Sequence, residues 1–309
     1  MPTSSKSISG IIAICVATTF WGLDGVVLTP RLYNLDVAFV VFVLHALPFL
    51  LMHTFLWKSY RFLRVLKWTD IITIFLVGLF GGALGTLSIV KALFLVNFQA
   101  LTVVVLLQKL QPVFAITLAF FLLKERPNKN FLAWAVLAII SGYFLTFGWD
   151  LPNFHTGENT VYAALFALLA AVSFGTSTVL GRKLLLKFPS PTTSFFRYGA
   201  TSIIMLIYVS AIGQLDGFQE MTVQNWQIIF LIMFTSGSAM LFLYYYGLKR
   251  VQAKVATIAE LCFPLSAIVF DYLFNDHALS VVQWLGAVVM IYSMIQIGKR
   301  ESKAPQIRS

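Results

Sequence analysis

The sequence predicts an all-α membrane protein with ten transmembrane helices arranged as two inverted five-helix repeats. Three observations support this fold class. Of the 309 residues, 59% are hydrophobic and only 11% are charged, whereas soluble domains carry about 25% charged residues. Ten apolar stretches are each long enough to cross a bilayer, and equivalent loops in the two halves carry opposite charges.

Each apolar stretch fits one crossing of the membrane. A helix needs about 20 mostly apolar residues for this, because lipid forces every backbone N–H and C=O to pair within its own segment. The ten predicted spans run approximately over residues 8–29, 36–57, 70–93, 98–123, 131–148, 160–181, 192–213, 226–247, 253–274 and 279–298. The first follows a polar start with only Lys6 and lacks a small-residue cleavage site, so we expect an uncleaved helix.

Composition also argues against several other classes of protein. Cys15 and Cys262 both fall inside apolar spans, which excludes a disulfide framework and any CxxC metal motif. The formal net charge is +10, but the basic residues occupy short loops and tails instead of one soluble face. We therefore expect no nucleic-acid partner.

Basic residues mark one side of the predicted membrane. The N-terminus, the loops after spans two, four, six and eight, and the C-terminal tail hold 18 of the 22 lysines and arginines. The opposite loops are acidic, with Arg31 as their only basic residue. By the positive-inside rule the basic side is cytoplasmic. Both termini are then cytoplasmic, and we expect location in the inner (plasma) membrane of a bacterium.

Short motifs recur at a spacing of about 150 residues. Phe20-Trp21-Gly22 returns as Ser173-Phe174-Gly175, and Gln111-Pro112 returns as Phe263-Pro264. Each match alone is also compatible with chance similarity between apolar helices. Because each half has an odd number of spans, the second half enters the membrane upside down, as in many secondary transporters.

The end of each half carries a longer signature. The run QPVFAITLAFFLLKER at residues 111–126 resembles the end-of-repeat signature of EamA-type proteins in the drug/metabolite transporter superfamily, and FPL at 263–265 followed by LSVVQWLGA at 279–287 echoes it. His277 departs from it, since the signature places there the glutamate that Glu125 supplies in the first half. The resemblance implies EamA-like repeats over 8–148 and 158–298, followed by a basic cytoplasmic tail at 299–309. It also implies a central cavity and a carrier of small metabolites or drugs, commonly an exporter.

Charged residues within the spans are the first candidates for the transport site. We identified three cations and two anions there: Lys91, Lys109, Arg197, Asp24 and Glu260. Each costs about 2.5–3.5 kcal/mol at the bilayer centre unless it has a partner or a wet cavity. One interpretation is structural, with Asp24 paired to Lys91 and Lys109 paired to Glu260. The other places Lys109 and Glu260 at the translocation cavity, where a net charge of +1 favours an anionic or amino-acid-like substrate.

Two prolines strengthen the second interpretation. Pro112 and Pro264 lie mid-membrane on repeat-related helices, and proline removes the N–H that the carbonyl four residues earlier would otherwise meet. This predicts free carbonyls at Gln108 and Glu260, which discontinuous transporter helices use to bind substrates or ions. An ordinary kink, with those carbonyls satisfied by neighbours, is the alternative.

Other candidates have plainer alternatives. His45 lies mid-span and is either a proton relay or a structural hydrogen-bonded residue. Trp21 and the run Tyr244 to Tyr246 line either the cavity or an interfacial belt. GxxxG spacings over 78–85 predict close helix packing or gating, and not ligands. The predicted substrate-binding or translocation residues are Trp21, Asp24, His45, Lys91, Gln108, Lys109, Arg197, Tyr245 and Glu260, with Pro112 and Pro264 as hinges.

The sequence therefore favours a secondary-active transporter working by alternating access, in which a small polar metabolite is the partner and a proton or a counter-substrate is the coupling species. A channel-like permease is the alternative, although no filter-like loop is present. A membrane enzyme is less favoured, because the chain has no GxSxG, HExxH or GxxxxGK[ST] motif. No catalytic residue, metal or cofactor is expected.

Overall fold

A computed structural model describes residues 3–95, 104, 107–150, 157–275 and 279–301. These residues form ten principal helices and no strand. The helices are α1 (Thr3–Leu23), α2 (Val37–Leu56), α3 (Trp68–Gly78 and Gly85–Leu95), α4 (Gln111–Leu122), α5 (Lys129–Phe147), α6 (Gly157–Leu185), α7 (Ser190–Ala211), α8 (Val223–Ile232 and Ser238–Leu248), α9 (Ala253–Ala259 and Cys262–Asn275) and α10 (Val281–Glu301). Nine, with their continuations, are long and apolar enough to span a membrane, and α4 adds a shorter apolar helix. The predicted all-α membrane fold is confirmed.

Three helices contain π-helical turns that the sequence analysis did not predict. One continues α1 over Asp24–Leu28, and the other two join the halves of α3 over Leu79–Leu84 and of α8 over Met233–Gly237. The turns in α3 and α8 occupy equivalent places in the two repeats. Such turns widen the helix locally and are frequent at functional sites.

Helix packing follows the repeat. The most extensive contacts are α5 with α10, α2 with α7, α1 with α8 and α9, and α6 with α3 and α4. Each contact has a counterpart in the other repeat. For example, α1 packs against α8 and α9 as α6 packs against α3 and α4. The described helices therefore form two structurally equivalent five-helix units.

Gly22 and Gly175 lie in equivalent positions in the two repeats and approach equivalent backbone atoms of a neighbouring helix. A Cβ placed on Gly22 would lie 2.9 Å from the Phe263 carbonyl oxygen and 2.8 Å from the Ala267 nitrogen. A Cβ on Gly175 would lie 3.0 Å and 3.1 Å from the same two backbone atoms of Gln111 and Ala115. A Cβ on Gly22 would clash and one on Gly175 would require its neighbours to shift, so α1 and α6 each cross a proline-containing helix closely at a glycine.

The glycines of α3 have the packing role that their spacing predicts. A Cβ on Gly78 or Gly82 would meet Thr201 of α7, and a Cβ on Gly81 would meet Ser177 of α6. The Thr201 hydroxyl uses this approach to donate to the Gly78 carbonyl at 3.0 Å. Missing side chains thus let α3 lie directly against two helices of the other repeat.

The ends and outer faces of the helices suit a bilayer. Asp36 caps α2 by accepting from two backbone N–H groups, and Asn128 caps α5 by accepting from Phe131. Large apolar side chains such as Phe121, which is 73% exposed, and Leu273, which is 61% exposed, point away from the protein. Because lipid is itself apolar, this exposure carries no cost in a membrane.

Candidate functional site

A cavity of about 390 Å³ lies between the two repeats, at the level of the proline-containing helices. Its volume falls within the range of small-molecule sites, about 300–1,000 Å³. Nine of the eleven predicted residues line it, namely Trp21, Asp24, His45, Gln108, Lys109, Pro112, Arg197, Glu260 and Pro264. Most sequence-derived candidates therefore converge on one space.

Two predicted residues are not among the described lining residues. Lys91 is exposed on α3, and its Nζ lies 5.3 Å from the ring centroid of Phe166. Tyr245 is fully buried in α8 and accepts a hydrogen bond from Arg197 Nη1 at 3.2 Å. Tyr245 thus supports a lining residue from behind, while Lys91 lies away from the cavity.

The helix breaks occur where the prolines predict them. α9 stops at Ala259 and resumes at Cys262, and turns at Lys109 and Leu110 precede α4. The prediction of a free carbonyl at Glu260 is wrong, because that oxygen accepts from the Phe263 N–H at 2.9 Å. A tight turn replaces the lost helical bond, so the break exposes side chains and leaves this carbonyl satisfied.

The Glu260 carboxylate lies at the centre of a network that joins four helices. One oxygen accepts from Tyr244 Oη at 2.7 Å and from Thr178 Oγ1 at 3.1 Å, and the other accepts from Gln111 Nε2. These partners come from α8, α6 and α4. The Gln111 bond connects the second repeat to the first across the cavity.

Lys109 has a different set of partners. Its Nζ donates to the Gly142 carbonyl at 2.7 Å and to Thr146 Oγ1, both on α5. The predicted pairing with Glu260 is therefore wrong, as is the pairing of Asp24 with Lys91. Among the described residues the ion pair within 4.0 Å joins Lys187 to Asp70 on the basic side. Two neutral oxygens of α5 bond to Lys109, and this buried cation has no acidic partner within 4.0 Å among the described residues.

Arg197 lies on α7 where the glycines of α3 make room for it. Its Nη2 donates to the Gly81 carbonyl at 2.8 Å, and a Cβ on Gly81 would come within 3.0 Å of the same nitrogen. The guanidinium also lies 5.6 Å from the ring centroid of Tyr245. Backbone and ring together hold the group at the cavity wall.

The remaining predicted residues lie on α1 and α2. Asp24 Oδ1 accepts from Thr29 Oγ1 at 2.8 Å within the irregular end of α1. Trp21 Nε1 donates to the Ser236 carbonyl at 2.7 Å, in the π-turn of α8. His45 Nδ1 lies 2.8 Å from the Val41 carbonyl, which fits the structural interpretation, yet its ring also lines the cavity.

Sequence reasoning missed several lining residues. Gln111, Thr178 and Tyr198 line the cavity but are neutral, so the search for charges passed over them. Gln111 stood in the signature motif and was treated only as the neighbour of a proline. Asp271 was also overlooked in the count of charges within spans, and it lies on α9 outside the described lining.

The cavity extends toward the side opposite the basic loops. Its lining includes Thr29, Pro30, Tyr33 and Val37, at the junction of α1 and α2. On the basic side, Glu125 accepts from the backbone N–H groups of Ala253 at 2.9 Å and Lys254 at 3.0 Å, which ties the end of α4 to the start of α9. Burial raises the pKa of Glu125, and those two N–H groups oppose the rise. His277, its counterpart in the second repeat, lies outside the described residues.

Arg182 adds a second connection on the basic side. Its Nη1 donates to the Leu248 carbonyl at 3.0 Å and the Lys249 carbonyl at 2.5 Å, which joins α6 to the end of α8. Lys249 in turn donates to the Phe188 carbonyl at 2.9 Å. These bonds link the described helices on the side away from the cavity mouth.

The sequence matches the EamA-like transporter family over residues 8–147 and 161–298, one match for each repeat. The chain belongs to the EamA-like transporter family. It is 50% identical over 293 residues to the riboflavin transporter ImpX of Fusobacterium nucleatum, covering 94% of this chain and 98% of that protein. It is 28% identical over 192 residues to the uncharacterized transporter YwfM of Bacillus subtilis, covering 62% of each. A crystal structure at 16% identity aligns over 99% of this EamA-like chain and all of its own with a TM-score of 0.68, which shows the shared fold alone.

Proposed function

We propose that this EamA-like transporter carries riboflavin across the membrane by alternating access through the cavity between its repeats. The observation that carries the proposal is a largely apolar, aromatic cavity with a few charged groups, which lies at two helix breaks in a chain 50% identical to a riboflavin transporter. Transport, and not catalysis, is the proposed activity.

The lining suits a flat ring system with a polar chain. Trp21 and Tyr244 lie with ring centroids 5.2 Å apart, and Phe174 and Phe263 also line the cavity. Aromatic faces of this kind stack on planar heterocycles. Polar side chains such as Asp24, Gln111 and Glu260 line the same cavity and can bond to the polar ring edge and the ribityl hydroxyls of riboflavin.

Charge favours a neutral substrate over the anionic one that the sequence count suggested. The sequence count gave an excess positive charge because it included Lys91, which lies away from the cavity, and omitted Asp271. The charged lining residues among those described are two cations, Lys109 and Arg197, and two anions, Asp24 and Glu260. A balanced lining supports a neutral polar molecule, while an amino acid remains the second candidate because it carries both charges.

The geometry also supports alternating access. A cavity that reaches one side, with hydrogen bonds closing the other, is one of the two states that such a carrier needs. We propose that the basic side is cytoplasmic, that both termini lie there in the inner membrane of a bacterium, and that the described state faces outward. Export, with a proton or a counter-substrate as coupling species, is the predicted direction from the family resemblance.

Counterflow in proteoliposomes tests the function. Vesicles loaded with unlabelled riboflavin are expected to accumulate external labelled riboflavin transiently, and an excess of an amino acid mixture is expected to leave this uptake unchanged. Imposed proton gradients then test coupling, and vesicles of sorted orientation test direction. Saturable amino-acid flux without riboflavin flux would reject the substrate, and non-saturable flux without counterflow would favour the channel-like alternative.

Single replacements test the site. Glu260→Gln, Lys109→Met and Arg197→Gln are each expected to lower counterflow while the protein stays folded by size-exclusion profile and thermal melting. Glu220→Gln and Lys129→Met make the first two of these chemical changes at exposed positions outside the cavity and serve as matched controls for them. Unchanged transport in all three cavity variants would reject the cavity as the route.

A further inference from the structure

We infer that Glu260, flanked by Gln111 and Arg197, recognises a cyclic imide on the substrate. In riboflavin this is the pyrimidine edge of the ring, with its N3–H between two carbonyls. The inference rests on the proposed function and assigns it a subsite and an orientation. It places the ring deep in the cavity and the ribityl chain toward the mouth at α1.

The first argument concerns the capacity of Glu260 to accept hydrogen bonds. A carboxylate offers about four acceptor positions. Tyr244 and Thr178 both bond to one oxygen, and Gln111 alone bonds to the other. One acceptor position is therefore left on the oxygen that Gln111 contacts, and Glu260 lines the cavity. The complementary ligand group is an N–H or O–H donor.

The second argument concerns the groups beside Glu260. The Gln111 amide nitrogen carries two N–H bonds and uses one on Glu260. Arg197 carries five N–H donors, and its described side-chain and backbone bonds are those to Tyr245 and Gly81. Glu260 and Arg197 bond to the hydroxyls of Tyr244 and Tyr245, whose ring centroids lie 5.7 Å apart, and both charged residues line the cavity. The wall thus offers donor, acceptor and donor, which complements the acceptor, donor and acceptor of an imide edge.

The third argument concerns orientation. The aromatic pair Trp21 and Tyr244 lies next to Glu260, because the Tyr244 hydroxyl bonds to that carboxylate at 2.7 Å. A planar ring stacked there brings its edge to Glu260. Asp24 lies at the α1 end of the cavity with one oxygen on Thr29, which leaves acceptor positions for hydroxyl groups. A polyol chain therefore fits the mouth and an imide fits the floor.

Two riboflavin analogues separate these subsites. 3-Methylriboflavin replaces the imide N–H by N–CH₃ and keeps the ribityl chain, whereas lumiflavin keeps the imide and lacks the chain. As competitors of labelled riboflavin counterflow, lumiflavin is expected to inhibit the wild-type protein, and 3-methylriboflavin is expected to inhibit at least about tenfold less well than riboflavin. Loss of a hydrogen bond to a buried charged group justifies a factor of this size.

Variants then assign the effect to Glu260. Glu260→Leu is expected to bring the ratio between riboflavin and 3-methylriboflavin close to one. Because that variant removes the acceptor of Tyr244, Thr178 and Gln111, Glu260→Gln provides a second test, with the ratio reduced at least about threefold. Asp24→Asn is expected to keep the ratio and to weaken riboflavin relative to lumiflavin. Glu220→Gln serves as the exposed control.

The outcomes separate this inference from the function on which it rests. Riboflavin counterflow with equal inhibition by 3-methylriboflavin would overturn the imide assignment and leave the proposed function standing. A ratio that is unchanged in folded Glu260→Gln and Glu260→Leu proteins would also overturn it. Absence of riboflavin counterflow in folded wild-type protein would overturn both.

Discussion

The two helix breaks occupy equivalent positions in the two repeats, just before Pro112 and Pro264, but carry different side chains. Aligned by the repeat, Gln108 of the first break corresponds to Glu260 of the second, and Lys109 corresponds to the buried Leu261. The first break therefore carries a cation that bonds to its own repeat, on α5. The second carries an anion that bonds across the cavity to the first repeat through Gln111.

The glycine crossings and proline breaks are present in both repeats, whereas the charged side chains at the breaks are not. Under the proposed alternating access, each repeat would adopt in one state the shape that the other has in the opposite state, which accounts for a glycine crossing and a proline break in both. A substrate bound between them meets the same side chains in both states. One copy of each polar group is therefore enough, and nothing in the mechanism requires the charges to repeat.

The largest effect is expected from a methyl group at the glycine crossings. In Gly22→Ala the new Cβ lies 2.1 Å from Ser266 Oγ and within 3 Å of two backbone atoms, whereas in Gly175→Ala the nearest atom is 3.0 Å away. Overpacking typically costs about 1–3 kcal/mol, occasionally more. We expect Gly22→Ala to yield little folded protein and Gly175→Ala to fold with a lowered Tm, as measured by size-exclusion recovery and thermal melting in detergent.

Gly25→Ala is the stability control for these variants, since the nearest atom to its new Cβ would be a ring carbon of Phe263, 4.0 Å away. It is expected to recover like the wild type. Equal recovery of Gly22→Ala and Gly25→Ala would contradict the close crossing of α1 and α9.

The next largest effect is expected from moving the carboxylate between the breaks. Glu260→Gln should lower counterflow at least about tenfold, which equals about 1.4 kcal/mol. Adding Gln108→Glu restores the charge at the equivalent position but not the donors that Tyr244 and Thr178 provide around Glu260. We therefore expect no rescue in the double variant. Rescue to near wild-type counterflow would show that charge alone, at either break, serves transport.

The fold could be predicted almost entirely from the sequence, because its determinants are long and redundant. A span of about 20 apolar residues stays recognisable when a boundary shifts by several residues. The break in α9 was also predictable, since a proline always removes one helical hydrogen bond. The π-turns were not, because they arise where packing against other helices widens the turn and no single residue type marks them.

The site was predictable as a set of residues but not as a set of contacts. Membrane charges are rare, so a search for them found four of the lining groups. The partner of each charge depends on ångström-scale positions of separate helices. Lys109 and Glu260 have opposite signs and similar depth, yet each bonds to other groups. Neutral residues such as Gln111 and Thr178 carry no signal that distinguishes them from ordinary packing residues.

A smaller effect is expected from the cation of the first break. Lys109 is buried with neutral oxygen partners, and a charge in this setting costs about 2.5–3.5 kcal/mol. Lys109→Met removes that cost, so we expect an unchanged or raised Tm together with counterflow reduced about threefold to tenfold. Lys129→Met, at an exposed position, is expected to change neither. A lowered Tm with normal transport would show that Lys109 stabilises the fold through its bonds to α5 and does not take part in the transport pathway.

The smallest effect is expected at Glu125, in the loop after α4. Its counterpart in the sequence of the second repeat is His277. Glu125→Gln keeps one of the two bonds to the start of α9, because an amide has a single acceptor oxygen. Losing the other costs about 1 kcal/mol, which predicts about fivefold more frequent opening of the basic side. Thr257 is a buried, cavity-lining residue in the first part of α9. A cysteine placed there, with Cys15 and Cys262 replaced by serine, reports this opening through impermeant maleimide in vesicles that expose the basic side. Because the described bonds of the Glu125 carboxylate go to the basic end of α9, labelling should rise from that side alone. An equal rise from the opposite side would mean that the loop holds the helix bundle together as a whole and does not close one end of it.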